Sequence, residues 1–207
     1  MNQQEIISLA KQVIKQEADG VMTLLDQVDD QFVKSAQLML KCKGHVLVTG
    51  SGTSHSVARR LAHLLSVCGT PSLLIDAGDG QHGLSGAITA RDILITLSKG
   101  GSSSEVIFIA SIAKSRGAKV ISITEKPESE LGKLSDIVLK VTAPSEGDPF
   151  GMIATGSSLV NAAYGDALCV VLLKLRGYTL EQFGETHPGG AVGKKLKNLK
   201  IKNNGGS

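Results

Sequence analysis

Five short runs rich in β-branched and other apolar residues recur along this 207-residue chain, at 45–49, 72–75, 93–97, 120–124 and 137–141. Strands covered on both faces read this way, as near-continuous apolar stretches rather than as strict alternations. Between the runs lie helical patterns at 54–67 and 104–115 and a short turn at 129–134. A long helix over about 157–175 closes the series. Alternation of strand and helix predicts an α/β fold with a parallel, doubly wound sheet. Ligands in that architecture sit beyond the carboxyl ends of the strands.

Residues 3 to about 42 precede this alternation and read as helical. Ile6, Ile7, Ala10, Val13 and Ile14, then Val21, Leu24 and Leu25, follow helical spacing, and the stretch DQVDDQ at 26–31 is placed to break the region in two. The expected organisation is one domain, with a helical arm at 1–43, an α/β core at 44–197 and a tail at 198–207. The basic run Lys194, Lys195, Lys197, Lys200 and Lys202 reads as a solvated tail. A net charge of +3 and 3% aromatic residues fit poorly with a nucleic-acid partner, which would want a basic footprint and stacking platforms. No segment reads as the roughly 20 apolar residues that a membrane span needs, and the N-terminus lacks the pattern of a signal peptide. A cytoplasmic protein without a membrane partner is the expectation. Cys42, Cys68 and Cys169 are widely spaced and odd in number, and so read as reduced, mostly buried thiols.

The strongest chemical signal lies at the strand ends. TGSGTSHS (49–56), SKGGSSSE (98–105) and ATGSSL (154–159) each place glycines and hydroxyls directly before a helical pattern. Glycine lets the backbone approach a ligand, a helix N-terminus offers unpaired N–H groups and partial positive charge, and Ser and Thr add donors. Any one loop could be ordinary N-capping. Three at the ligand edge of one sheet point to a phosphate site built from Gly52, Thr53, Ser54, Ser98, Ser102, Ser103, Thr155 and Ser157. His55, just after the first loop, could touch substrate.

A dinucleotide fingerprint fits less well. Gly50 and Gly52 match the first two positions of G-x-G-x-x-G, but His55 stands where the third glycine would let helix and strand approach. Asp76 keeps the alternative open, since it ends the second apolar run where a ribose-binding acid would lie. The Walker A pattern is absent. No close His/Cys spacing suggests a structural or catalytic metal.

The loops Gly50-Ser51-Gly52-Thr53-Ser54 and Ser98 to Glu105 resemble the hallmarks of the sugar isomerase (SIS) domain. GAKVISIT, EGDPFG, GDAL, LLKLRGYTLEQF and HPGGAVGKKL follow in the order found in the isomerase domain of D-arabinose-5-phosphate isomerases. The resemblance runs over about residues 30–197. It implies a five-stranded sheet between helical layers, a homotetramer with active sites at subunit interfaces, and an aldose–ketose isomerase of phosphorylated sugars without an organic cofactor. Many such proteins carry paired CBS domains, which are not expected in this chain. The resemblance also implies functional roles for His82, Glu105, Glu146 and His187. Each of the three loops departs from the pattern. Thr53 stands where lysine is frequent, the second loop has Lys99 and Gly100 where S-x-S-G is usual, and the third has Ala154-Thr155-Gly156-Ser157 where P-T-S-S is usual.

Aldose–ketose isomerisation moves a proton between adjacent carbons through an enediol. It needs a base at the C–H bond, donors near the developing oxyanion and an acid to open the sugar ring. Glu146, in a Gly/Pro-rich loop, is the expected base. Glu105 is a second carboxylate, although Ser102-x-x-Glu105 also matches a capping box. His187, in a stretch read as neither helix nor core strand, and His82, also on a loop, supply imidazoles, a side-chain type suited to proton shuttling or ring opening. The expected substrate is a pentose 5-phosphate such as the D-arabinose/D-ribulose pair. A sugar-phosphate sensor without catalysis is the competing reading.

Overall fold

A computed structural model describes residues 1–196. Helix α1 (Gln3–Met22) is closed at its start by a capping box between Asn2 and Glu5. After a 3₁₀ turn at Thr23–Asp26, Asp29 accepts from the Gln31 and Phe32 amides and starts α2 (Asp30–Leu40). The aspartate in DQVDDQ therefore begins the second helix as an N-cap, which is why the arm is broken there.

The chain then alternates: β1 (Val46–Gly50), α3 (Thr53–Val67), β2 (Ser72–Leu74), α4 (Ala77–Gly80), a 3₁₀ turn at Leu84–Ala87, β3 (Ile93–Leu97), α5 (Ser104–Ser115), β4 (Lys119–Thr124), α6 (Glu130–Leu134) and β5 (Ile137–Lys140). Helix α7 (Gly156–Arg176) and the short α8 (Leu180–Thr186) follow, and the described residues end in a helical stretch at 190–196. The strands form one parallel sheet in the order β2-β1-β3-β4-β5. Order reverses at β1 and β3, so a crevice opens beyond their carboxyl ends.

Side-chain alternation splits the core between two faces. Val46, Val48, Ile93, Ile95, Ile121 and Ile123 meet α2, α3 and α7 on one face. Leu47, Leu94 and Val120 meet Val106, Ile109 and Ala113 of α5 and Leu131 of α6 on the other. A period of two in the strands delivers successive residues to opposite layers. Helix α7 is, by length and composition, apolar enough to cross a bilayer, which corrects the expectation that no segment approaches that measure. Here its residues Val160, Tyr164, Leu168 and Leu172 are buried in the core, and Phe32 meets Tyr164 edge-on with ring centroids 5.4 Å apart.

The helical arm is tied to the rest of the molecule near the sheet's carboxyl edge. Gln27 brackets Thr142, donating to its carbonyl at 3.1 Å and accepting from its amide at 2.7 Å. Gln16 of α1 donates to Ser145 Oγ at 2.7 Å and to the Glu146 carbonyl at 3.1 Å. The tail from 198 onward, with Lys200 and Lys202, and Lys197 before it lie outside the described residues.

Candidate active site

At the end of β1 the chain turns sharply into α3. A Cβ on Gly50 would lie 2.7 Å from the Ser54 carbonyl oxygen, so helix and strand approach too closely there for any side chain. Gly52 takes φ +57 as the helix N-cap, and no side chain caps that end. This arrangement leaves the helix entrance open to a ligand. Gly50→Ala is expected to push α3 off the strand and cost about 1–3 kcal/mol, measurable by urea unfolding.

A cavity of about 370 Å³ lies beyond β1, β2 and β3, lined among others by Ser51, Gly52, His55, Asp76, Gly78 and Glu105. His55 Nδ1 is 3.5 Å from Asp76, and Asp76 also caps α4 by accepting from the Asp79 amide at 3.0 Å. The acid compatible with a ribose site is thus occupied in fold and in pairing. Glu105 accepts from Ser51 Oγ at 2.5 Å and from Ser104 Oγ at 3.1 Å. The bond from Ser51, then its own amide and Ser104, hold its carboxyl below the usual range.

The capping-box reading of Ser102 and Glu105 is corrected. The N-cap of α5 is Ser103, one residue later, and it makes no side-chain cap bond. Glu105 therefore falls in the first turn, with its carboxylate directed across to the first loop rather than back to a cap. Ser102 is exposed, while Ser98 is buried with its Oγ 3.2 Å from Ser103 Oγ.

The three loops come together, but the second does so through Lys99, and Ser98, Ser102, Ser103 and Thr155 lie outside both cavity linings. A smaller cavity of about 40 Å³ is bordered by Thr53 and Ser54 of the first loop, Lys99 of the second, and Ala154 and Ser157 of the third, with Asn161 beyond. Its lining holds one cation, Lys99, and no carboxylate. Directly behind Lys99 lies Glu146, whose side chain is only 3% exposed. Lys99 Nζ donates to Glu146 Oε1 at 2.7 Å, and the Ser157 amide, in the first turn of α7, donates to Oε2 at 2.9 Å. Burial pushes the Glu146 carboxyl up, but the bonds from Lys99 and Ser157 outweigh it and hold the group below its ordinary range. The same bond raises the Lys99 ammonium, with Glu125 Oε1 4.0 Å away on its other side. Thr155 accepts from the Gly147 amide at 3.0 Å, and so secures the Glu146 loop from the α7 side.

In the sequence Lys99 is visible only as a departure in the second loop. Its signal is a lone lysine among glycines and serines, but the partner lies 47 positions away. Gln16, which fastens the Glu146 loop from the arm, carries no signal at all.

The two imidazoles stand apart from both cavity linings. His82 is exposed in the turn after α4. His187 terminates α8, and its ring stacks on Phe183 at 3.9 Å, with Nδ1 2.9 Å from the Phe183 carbonyl. Reading that stretch as neither helix nor strand is therefore corrected, because Thr179 and Gln182 form a capping box that begins α8. A larger hollow of about 590 Å³ between α1, α3 and α7 shares Thr53 but is mainly apolar, with Ile14, Val21 and Leu159. Its charged pair, Arg60 and Asp166, is already joined across α3 and α7. Burial pushes the Cys169 thiol up to about 12, which leaves it an inert core group.

Comparison with known proteins agrees with this fold. The SIS domain family matches residues 39–171. Arabinose 5-phosphate isomerase KdsD of Pseudomonas aeruginosa is 38% identical over 192 residues, covering 93% of this chain and 59% of the relative. The protein of the same name from Escherichia coli K12 is 37% identical over 186 residues, covering 90% and 57%. The chain thus spans somewhat under three-fifths of the length of these two curated relatives. Among solved structures, an Escherichia coli CFT073 protein in complex with arabinose 5-phosphate superposes with a TM-score of 0.87 at 30% identity, over 91% of this chain and all of that one. A Listeria monocytogenes protein superposes with a TM-score of 0.89 at 34% identity, over the same shares. The chain belongs to the SIS-domain family.

Proposed function

We propose that this protein is an aldose–ketose isomerase of a pentose 5-phosphate, with D-arabinose 5-phosphate and D-ribulose 5-phosphate as the pair. The observation that carries this reading is the meeting of three hydroxyl-rich loops around a cation, with a buried carboxylate directly behind it. The name of the KdsD relatives and the arabinose 5-phosphate bound in the E. coli CFT073 structure support the same substrate class. In this reading Glu146 takes the proton from the carbon beside the carbonyl. The C–H electron pair forms the enediol double bond, and the carbonyl oxygen becomes an oxyanion met by nearby donors. Glu105, beside the sugar-sized cavity, binds hydroxyls or relays the proton to the adjacent carbon. His82 and His187 act in ring opening, and because each stands apart from both cavities they serve through a neighbouring subunit.

That last role requires association, and a tetramer is the proposed state. Exposed Ile6, Ile14 and Leu25 on the arm and Phe150, Met152 and Ile153 on the Glu146 loop support it, since solvated apolar clusters of this kind mark contact surfaces. Light scattering behind a sizing column checks it. No cofactor, nucleic acid or membrane enters this scheme, and a cytoplasmic location suits its substrate.

The test is solvent exchange. In deuterium oxide, the protein is expected to incorporate deuterium into ribulose 5-phosphate at the carbon bonded to the carbonyl and to form arabinose 5-phosphate, both read by NMR. Exchange with no pentose or hexose phosphate would end the isomerase reading. Sugar-phosphate binding without exchange would leave a sensor.

A further inference from the structure

The ion pair of Lys99 and Glu146 has two unlike members. Glu146 is fixed: it is almost wholly enclosed, held by the Ser157 amide, and its loop is tied to Gln16 and Thr155. Lys99 is fixed only at its backbone, where its carbonyl accepts from the Glu125 amide and from Thr124 Oγ1, both at 3.0 Å. Its side chain is 43% exposed and borders the cavity at the three loops. A four-carbon stem with free rotors can turn there while the carboxylate cannot.

We infer that Lys99 is shared between Glu146 and the phosphoryl group of the substrate: it covers Glu146 while the site is empty, and the incoming phosphoryl group draws it away. This rests on the isomerase reading and adds how that site is switched on. A dianion outcompetes a single carboxylate for an ammonium, and the cavity is bordered by Thr53, Ser54 and Ser157 with no carboxylate in its lining. At about 40 Å³ it has room for a few water-sized groups, the size of a phosphoryl head rather than of a whole sugar. The larger cavity, with Asp76 and Glu105, repels phosphate and suits sugar hydroxyls. The sugar phosphate would therefore lie across Gly52 and Thr53, phosphoryl end toward Lys99.

Once Lys99 departs, Glu146 is a buried carboxylate with the Ser157 donor but no cation in contact. Burial then dominates and disfavours the charged form, which raises the carboxylate's affinity for a proton and makes it a stronger base. The titratable groups around Lys99 are Glu146 and Glu125, with Glu17 of α1 over the neighbouring Gly147. Glu125, at 4.0 Å, keeps Lys99 near the cavity after release.

Two measurements test this, one without turnover. Sulfate is a dianion that does not titrate near neutrality. Calorimetry in buffers of different ionisation heat at pH 5–6 should show proton uptake by the wild type on binding sulfate. Lys99→Met should bind sulfate at least tenfold more weakly. Glu146→Gln should bind it without proton uptake, and Lys99→Arg, which keeps the charge, should restore binding. Unaltered sulfate affinity in Lys99→Met, or no proton uptake by the wild type, overturns the inference. The second measurement uses D-threose, which matches arabinose 5-phosphate without its phosphorylated carbon. Phosphite should accelerate its deuterium exchange at least tenfold in the wild type and not in Lys99→Met; equal acceleration in both overturns the inference. If the wild type exchanges no phosphorylated sugar, the isomerase reading fails, while the sulfate result still decides the role of Lys99.

Discussion

Glu146→Gln is expected to lower isomerisation and solvent exchange by about 10²–10⁴-fold, the usual worth of a positioned proton acceptor, while sugar-phosphate binding persists. The substitution isolates the proton-accepting function because glutamine nearly matches the shape of glutamate. Its amide oxygen can still accept from the Ser157 amide, and Gln16 and Thr155 still fasten the loop through backbone atoms. Single-turnover NMR in deuterium oxide separates lost chemistry from lost binding, and turnover within a factor of a few of wild type would remove Glu146 from its role. The same variant has a stability signature with a definite sign. The Glu146 carboxyl is held below its ordinary range in the folded protein, burial opposing and Lys99 and Ser157 prevailing. Its ionised form therefore adds stability above the unfolded value of about 4.3, and that contribution is lost as pH falls through the folded value. Urea midpoints of wild type should drop further than those of Glu146→Gln as pH goes from 6 to 3.

The legible parts of this fold are those with strong local causes. The central strands β1 and β3 are covered on both sides, so their apolar runs end within a residue of the observed bounds. Helices α3 and α5 follow glycine-hydroxyl starts, and their patterns match the observed helices almost to the residue. Helix α8 escapes a reading by periodicity although Thr179-x-x-Gln182 is a capping-box pattern, because seven residues hold too few turns to show one. The cap of α5 lies one residue from its expected place because three serines in a row offer equivalent caps, and only the close approach of β1 decides where Glu105 points. The site divides in the same way. Its loops can be read from composition, but the Lys99–Glu146 pair joins residues far apart in sequence, and no periodicity registers it. His82 and His187 remain expectations of chemistry, since this chain alone places neither beside the two cavities.

The third loop yields the last prediction. Serine stands at position 156 in the pattern this chain resembles, yet Gly156→Ser is expected to damage the site rather than mend it. Gly156 opens α7 beneath the Glu146 loop, and a Cβ there would lie 2.4 Å from the Ser145 carbonyl oxygen and 3.5 Å from Glu146 Oε2. The atom it meets is backbone, so relief requires the loop itself to move, and Ser145 is the residue before the carboxylate. Overpacking of this kind costs about 1–3 kcal/mol, and a shift of order 1 Å in a catalytic group costs about 10²-fold in rate. A gain in helix propensity of at most about 1 kcal/mol opposes the first term but not the second. The matching control is Gly100→Ser, which restores the usual serine of the second loop. A Cβ at Gly100 meets nothing nearer than Ser102 Oγ at 3.6 Å, an ordinary contact, and its backbone is not left-handed. Gly100→Ser should therefore keep stability within about 0.5 kcal/mol of wild type, and Gly156→Ser should lose both stability and turnover. Were both variants equally tolerated, the close seat of the Glu146 loop on α7 would not be what sets the carboxylate. If the contrast holds, glycine at 156 is the condition for placing Glu146 against Ser157 and Lys99, and the departure from the usual loop is part of how this chain builds its site.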